Sequence, residues 1–350
     1  MMDKQRIETS KLLKFEDAAA GHDGVLTDET GSIVVKPCTV AEVAFYEETL
    51  ARHTEFAALL PTFMGTLQLG KTAQFQHVLE GAELSISQPT IILPVENSEP
   101  AAPLKDALKG KPIETDLAIV LGNVAAGFVK PNILDVKLGR RLWDDDAIES
   151  KRQRLDKLAK QTTSASLGFR IAGMKTFSAG SYKVFDKFYG RSLTPATATE
   201  AFGELFDQRG DRPETFSFSQ VLPGAIEALE EIERVISQQE SRMYSSSLLF
   251  VYEGHREARR AAIEALEKAQ GVRSTSHPNH PAEGFKLAVE DDYYDEDDDE
   301  DDDEFTRPKL FDVRIIDFAH ARWAPGEGPD ENMLCGIRAV IGILKDMMPP

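Results

Sequence analysis

The stretch PNILDVKLG, residues 131 to 139, combines an apolar strand pattern with two charged side chains. Its other positions are mostly aliphatic, and Pro131 and Gly139 bound it, which predicts a short buried strand. Because alternate residues of a strand point to the same face, Asp135 and Lys137 should lie side by side. One interpretation is a solvated edge or an internal ion pair. The other is a site in which the acid accepts a proton and the lysine binds an anion.

The residues before this stretch divide the chain into two regions. GNVAAGFVKP (122–131) has the small, flexible composition of a hinge. Strand patterns precede it and helical patterns dominate after it, which favours an α+β protein with a β-rich N-lobe (1–124) and a larger mixed C-lobe (125–350). The strands predicted in the N-lobe are GSIVVKP (31–37), part of TAQFQHVLEG (72–81) and DLAIVLGNV (116–124).

The segment TVAEVAFYEETLARH (39–53) predicts the first long helix. Thr39 followed three residues later by Glu42 is the pattern of a capping box. Lys36 lies inside the preceding strand, where an inward-pointing lysine needs an anionic partner. Glu42 is therefore a candidate for helix capping, for an ion pair with Lys36, or for both.

A second strand ends in charged residues. In VRIIDFAHAR (313–322), an apolar run leads to Asp317 and His320. Mg²⁺ on nucleotide phosphates usually takes one or two carboxylates, although Asp also ends many strands as a turn former. A strand lysine, a helix glutamate, a hinge and two acidic strand ends together favour a two-lobed phosphotransferase.

The segment DAIESKRQRLDKLAKQTT (146–163) predicts a charged helix with a basic row. The row recurs every three residues, so its neighbours lie side by side on the helix. It is typical of a solvated surface, and it is also placed to bind several phosphates shortly after Asp135. Nucleic acid is a competing ligand, but the chain is acidic overall and no recognised DNA-reading module occurs. The basic residues are Lys151, Arg154, Lys157 and Lys160.

The net charge of −19 is concentrated in one tract. Thirteen acidic residues lie between Glu290 and Glu304, and removing them from −19 leaves the rest of the chain at −6. Such a block repels itself, so we expect a disordered acidic insert over about 271–307. It could also dock basic protein partners.

Several common classes of protein are disfavoured because the 350 residues lack their sequence signals. The N-terminus lacks the apolar core of a secretory signal, no run suits a membrane span, and two cysteines argue against a disulfide framework. Walker, GxGxxG, HExxH, GxSxG and CxxC patterns are missing. An intracellular protein is expected.

Three separated motifs resemble the inositol polyphosphate kinase family. PNILDVKLG is similar to its PxxxDxKxG signature, SSSLLFVYEG (245–254) to its SSLL segment and IDFAH (316–320) to its DFAH motif. KRQRLDKLAKQTTSASLGFRIAGMK (151–175), YGRSL (189–193) and the Asp-rich insert look most like the fungal multikinase branch. The resemblance implies the family's two-lobed fold, which is related to protein-kinase and ATP-grasp-like folds.

The resemblance also implies an activity. It is ATP- and Mg²⁺-dependent phosphorylation of soluble inositol polyphosphates, from inositol 1,4,5-trisphosphate to tetrakis- and pentakisphosphate. Two alternatives stay open: an inositol hexakisphosphate kinase that makes pyrophosphates, and an interaction protein that binds transcription factors through the acidic insert. We expect a monomer in the nucleus and cytoplasm, without direct nucleic-acid binding.

The family's catalytic roles are carried over by motif. Asp135 is implied as the general base at the inositol hydroxyl, and Lys137 as the lysine that steadies the transferred phosphoryl group. Lys36 is implied to bind ATP phosphates with Glu42 as its ion-pair partner, and Asp317 to bind Mg²⁺.

The resemblance also implies which residues contact the inositol phosphate and the adenine. His320 and the basic row are implied to lie near the inositol phosphates. The hinge is implied to offer backbone groups of Gly122, Asn123 and Val124 to the adenine.

Overall fold

The computed structural model describes most of both lobes. The described residues are 12–15, 24–70, 90–94, 115, 117–206, 221–276 and 309–348. The strand predicted within 72–81 and the acidic tract 290–304 lie outside them.

The N-lobe is built on a six-stranded sheet. Its strands run in the order β1-β2-β3-β6-β4-β5, and of the pairs between them only β4 with β5 is parallel. The predictions of strands within 31–37 and 116–124 are confirmed by β3 and β6. The strands are β1 (Leu13–Lys14), β2 (Leu26–Thr27), β3 (Ile33–Pro37), β4 (Phe63–Gly70), β5 (Thr90–Pro94) and β6 (Leu117–Gly122).

Two helices follow β3, namely α1 (Val40–Arg52) and α2 (Thr54–Ala57). The Thr39 hydroxyl accepts a hydrogen bond from the Glu42 N–H at 3.1 Å, which confirms the predicted start of α1. The Glu42 carboxylate instead contacts Lys36, so only the threonine half of the capping box is used for capping.

The C-lobe contains a five-stranded antiparallel sheet in the order β12-β11-β7-β8-β9. The predicted strand around Asp135 is confirmed as β7, at its centre. Two short strands, β10 and β13, pair separately. The strands are β7 (Pro131–Leu138), β8 (Phe169–Ser178), β9 (Ser181–Phe185), β10 (Ser241–Met243), β11 (Ser247–Glu253), β12 (Phe311–Ile316) and β13 (Ala321–Trp323).

Helices cover the C-lobe sheet, as the helical patterns after the hinge predict, and the helix at 149–160 confirms the one predicted within 146–163. One boundary was wrong: α8 continues to residue 276, whereas the predicted insert began at about 271. The helix continues through Gly271 because a glycine inside a helix costs only about 1 kcal/mol. The helices are α3 (Glu149–Lys160), α4 (Thr163–Leu167), α5 (Lys187–Ser192), α6 (Ala198–Leu205), α7 (Leu222–Ser237), α8 (Arg256–Ser276) and α9 (Glu331–Asp346).

One apolar core extends across both lobes. Phe45 of α1 stacks on Phe318 and on Trp323 of the C-lobe, with ring centroids 5.0 and 5.2 Å apart. The Ile315 N–H of β12 donates to the carbonyl oxygen of Leu59, which follows α2, at 3.0 Å. These contacts anchor the N-lobe helices on the C-lobe and bring α1 to the end of β12.

Among the described residues, no helix combines the length and the apolar character that crossing a bilayer requires.

Candidate active site

Strand β7 separates an apolar face from a charged one. Leu134, Val136 and Leu138 are fully buried in the core, whereas Asp135 and Lys137 alternate with them and lie on the opposite face. The β7–β8 register shifts between Asp135 and Val136. Such bulges are frequent beside active sites because they re-aim a side chain. The predicted side-by-side placement of the acid and the lysine follows from this strand geometry.

Asp135 is a buried carboxylate, with 5% of the residue exposed. Its Oδ1 has no hydrogen-bond partner in the described part of the chain. Burial raises its pKa from 3.8 to about 6; the nearby Lys137 opposes this rise and Asp317 adds to it. The group is therefore mostly ionised at neutral pH and still basic enough to accept a proton.

Lys137 is held by a backbone carbonyl group that lies just before β11. Its Nζ donates to the carbonyl oxygen of Ser245 at 2.7 Å. Ser245 has φ 62°, a left-handed conformation that non-glycine residues rarely adopt. Burial lowers the pKa of Lys137, while the charges of Asp317 and Asp135 raise it. The first serine of the SSLL-like segment thus positions the lysine through its main chain.

Lys36, Glu42 and Asp317 form an ion cluster between the lobes. The Lys36 Nζ lies 3.0 Å from Glu42 Oε1 and 2.6 Å from Asp317 Oδ1. Burial by itself would lower the pKa of Lys36, but the two carboxylates raise it above its ordinary value. The predicted Lys36–Glu42 pair is present in the structure. The contact with Asp317 adds a link between β3 and the end of β12.

Asp317 is fixed at the cleft by its backbone. Its φ of 69° is left-handed, and its carbonyl oxygen accepts a hydrogen bond from the Ser246 Oγ at 2.9 Å. The next amide, of Phe318, donates to Glu42 Oε1 at 3.2 Å. A strained backbone at a strand end persists only where such contacts hold it.

A second charged group surrounds His320. Its Nδ1 lies 2.5 Å from Asp144 Oδ2, and its Nε2 lies 3.4 Å from the Nζ of Lys151. The structure therefore brings the first member of the basic row to His320. The other three, Arg154, Lys157 and Lys160, are exposed on α3 and form no ion pair with any described residue. Their role in substrate binding stays a prediction.

Two backbone N–H groups of the hinge donate hydrogen bonds to other parts of the protein. The Gly122 N–H donates to Thr62 O and the Asn123 N–H to Ser32 O, both at 2.8 Å. The Asn123 carbonyl oxygen also accepts a hydrogen bond, from the Ala126 N–H at 2.9 Å, so Val124 is left as the predicted hinge contact for adenine. A small apolar cluster lies beside it, consisting of Ala125, Ile133 and Val251 with Val124, Phe128 and Leu249 packed against them.

Two charged residues of the site were not predicted from the sequence. Asp144 lies within an acidic run that is typical of a solvated turn. Arg170 lies on β8 opposite Lys137, and its Nη1 is buried without a hydrogen-bond partner among the described residues. Burial lowers the pKa of Arg170 to about 10, although the Asp135 charge raises it. A strand prediction for FRIAGMKTFS would have placed this arginine beside β7.

Comparison with known proteins gives one family. The sequence profile of inositol polyphosphate kinases matches residues 118–345. The chain is 30% identical to inositol polyphosphate multikinase of Saccharomyces cerevisiae over 94% of this chain and 96% of that protein. It is 32% identical to inositol hexakisphosphate kinase 3 of Mus musculus over 65% of this chain and 50% of that protein. The crystal structure of an inositol phosphate multikinase from S. cerevisiae in complex with ADP and Mn²⁺ superposes with a TM-score of 0.60 at 26% identity, covering 91% of this chain and all of that chain.

Proposed function

The chain belongs to the inositol polyphosphate kinase family, and on that premise we propose that it is an ATP-dependent kinase of soluble inositol polyphosphates. The proposal rests on two sets of charged residues at one cleft, the Lys36–Glu42–Asp317 cluster and the Asp135–Lys137 pair of β7. Lys36 of the N-lobe contacts Asp317, and the Asp317 charge in turn influences both Asp135 and Lys137 on β7. Phosphoryl transfer depends on positioning and charge stabilisation, which these residue types supply.

The nucleotide side of the cleft is the Lys36–Glu42–Asp317 cluster. Glu42 Oε2 is buried and has no hydrogen-bond partner among the described residues, so the cluster holds more acceptor oxygens than its lysine satisfies. Such surplus carboxylate oxygen fits a divalent cation, and Mg²⁺ usually takes one or two carboxylates together with phosphate oxygens. Asp317 would hold this cation, which neutralises phosphate charge when bound. Lys36 would bind phosphate oxygens.

The acceptor side is Asp135 with Lys137. Asp135 Oδ1 lacks a hydrogen-bond donor within the described structure, so an acceptor hydroxyl can supply one and pass its proton to the carboxylate. The Lys137 ammonium lies on the same strand face, where it can stabilise charge on the phosphoryl group as it moves. Asp135 is thus the general base and Lys137 the stabilising cation.

The substrate range follows the extent of similarity. The chain matches a multikinase over nearly the full length of both proteins, but only half the length of a hexakisphosphate kinase. We therefore assign inositol 1,4,5-trisphosphate and its tetrakisphosphate product as acceptors, with Mg²⁺ as the cation in the cell. A hexakisphosphate kinase remains the alternative.

The test is product analysis by mass spectrometry. The purified protein is incubated with ATP, Mg²⁺ and each inositol phosphate separately, with Asp135→Asn as the inactive control. Inositol 1,4,5-trisphosphate should gain one and then two phosphoryl groups. Phosphorylation of the hexakisphosphate alone would instead establish the alternative.

A second function rests on composition. We propose that the acidic tract 290–304 binds basic protein partners such as transcription factors, in the nucleus and cytoplasm, because its thirteen carboxylates would attract positive surfaces. Replacing these acids with Ser and Gln should weaken binding to a defined basic domain, most strongly at low salt, and leave kinase activity unchanged. Equal binding by both proteins would refute this role.

A further inference from the structure

Asp144, Lys151 and His320 form a compact charged triad at the acceptor end of the cleft. Asp144 Oδ2 lies 2.5 Å from His320 Nδ1 and 3.6 Å from the Lys151 Nζ, while His320 Nε2 lies 3.4 Å from the same ammonium. The three residues come from the turn after β7, from α3 and from the turn after β12. The remaining Asp144 oxygen, Oδ1, is buried without a partner in the described residues.

The turn that carries Asp144 is held on both sides. The Arg141 guanidinium stacks on the Trp143 ring at 3.7 Å and pairs with the Asp145 carboxylate. The Trp143 indole N–H donates to Asp156 of α3 at 2.7 Å. Asp144 is therefore placed by neighbouring contacts rather than by its own bond to His320, as expected for a group that orients another.

The geometry fixes which nitrogen of His320 carries the proton. Two acceptor atoms cannot lie 2.5 Å apart, so Nδ1 bears the hydrogen and donates it to Asp144. In the neutral ring, Nε2 then presents its lone pair to the Lys151 ammonium. Burial and the Lys151 charge lower the pKa of His320, Asp144 raises it, Lys137 lowers it and Glu42 raises it. The net direction is downward, so the ring is mostly neutral at pH 7.5.

We propose that Asp144 is a positioning residue that makes acceptor binding proton-linked. It holds His320 so that a phosphate of the acceptor, on reaching Nε2 and Lys151, draws one proton from solvent onto Nε2. Only an N–H bond forms; the imidazolium and the ammonium then both donate to the phosphate, and Asp144 provides the counter-charge. The inference rests on the proposed function, because the phosphate is that of the inositol phosphate acceptor.

The test is calorimetric titration with inositol 1,4,5-trisphosphate at pH 7.5, in buffers of different ionisation enthalpy, which gives the number of protons taken up. Phosphates titrate near pH 6 themselves, so His320→Gln measures the ligand's own contribution. Wild type should take up more protons than His320→Gln, by up to one. Asp144→Asn should resemble His320→Gln in uptake and bind roughly tenfold more weakly, because a charge-assisted hydrogen bond becomes a neutral one. Asp146→Asn, the same change at an exposed neighbour, should resemble wild type.

Equal proton uptake by wild type and His320→Gln would overturn the proposal, as would wild-type uptake and affinity in Asp144→Asn. Either result with intact trisphosphate binding would leave the proposed kinase function standing. If wild type binds ADP but not the trisphosphate, the acceptor assignment itself is wrong and the proton linkage is refuted with it.

Discussion

The two faces of strand β7 differ in what they contribute to the protein. The apolar face, Leu134, Val136 and Leu138, is fully buried among core residues of β8 and of the helices behind the sheet. The charged face, Asp135 and Lys137, lies toward Asp317 and the cleft, and carries a carboxylate oxygen without a partner in the described structure. A burial of this kind costs free energy unless a ligand completes it.

A single strand can therefore carry residues that stabilise the fold and residues proposed to act on ligands at alternate positions. Alternation places stabilising and reactive side chains one position apart along the chain. Substitutions at adjacent positions should therefore affect different measurements: unfolding on one face, and turnover or ligand binding on the other.

The largest effect is expected opposite the charged face, at Asp317. Asp317→Asn should abolish kinase activity, since the amide removes the proposed ligand charge. Asn tolerates the left-handed φ of 69° that Ala would strain. Calorimetry should show weaker ADP binding only when Mg²⁺ is present, because the carboxylate acts through the cation. An equal loss without Mg²⁺ would mean that the residue is structural, acting through its contact with Lys36.

On the apolar face, Leu134→Ala should lower the free energy of unfolding by roughly 2–5 kcal/mol, because Leu134 is fully buried and the cavity left behind relaxes only in part. Denaturant titration measures this change. The fraction that remains folded should turn over substrate at nearly the wild-type rate. A large drop in turnover without a loss of stability would show that the two faces are not independent.

One position later, Asp135→Asn should lower turnover by at least 10²-fold, about 2.7 kcal/mol of activation free energy, as expected for a lost general base. Affinity for ADP should be unchanged because the residue belongs to the proposed acceptor side of the cleft. Near-normal turnover in the folded variant would remove Asp135 from the mechanism and make its burial a purely structural feature.

The parts of this site that the sequence predicts are those with local signals. A strand bounded by Pro131 and Gly139, and a helix start at Thr39, follow from residue types a few positions apart. Asp135, Lys137 and Asp317 stand out because charged residues interrupt or end apolar runs. The family resemblance adds their roles and the two-lobed fold.

The parts that the sequence does not predict depend on contacts distant along the chain. Strand β8 combines apolar residues with Lys175, which is buried, and Arg170, which is half-buried, and both lie opposite residues of β7. Asp144 lies in a segment whose composition is typical of a solvent-exposed turn. Its role depends on His320, which the turn after β12 places beside it. The shared core between the lobes likewise needs Phe45 to meet Trp323 across most of the sequence.

The last expected effect concerns stability, depends on pH, and distinguishes the two faces of β7 most finely. Burial raises the pKa of Asp135 from 3.8 to about 6, so the folded state binds this proton more tightly than the unfolded state does. The wild type therefore loses stability from this group as the pH rises from about 4 to about 6, and the loss persists at higher pH. Asp135→Asn lacks the ionising group and should melt above the wild type at pH 8, but not at pH 4.

The comparison is made by calorimetric melting of both proteins without nucleotide or divalent cation, with the exposed Asp146→Asn as the matched control. That control should follow the wild type at both pH values. The same ionisation predicts that wild-type turnover falls about tenfold per pH unit below pH 6, because in the proposed mechanism only the ionised carboxylate accepts the hydroxyl proton. If Asp135→Asn melts below the wild type at pH 8, the carboxylate is stabilised by its neighbours more than burial destabilises it. The charged face of β7 would then contribute to stability as the apolar face does.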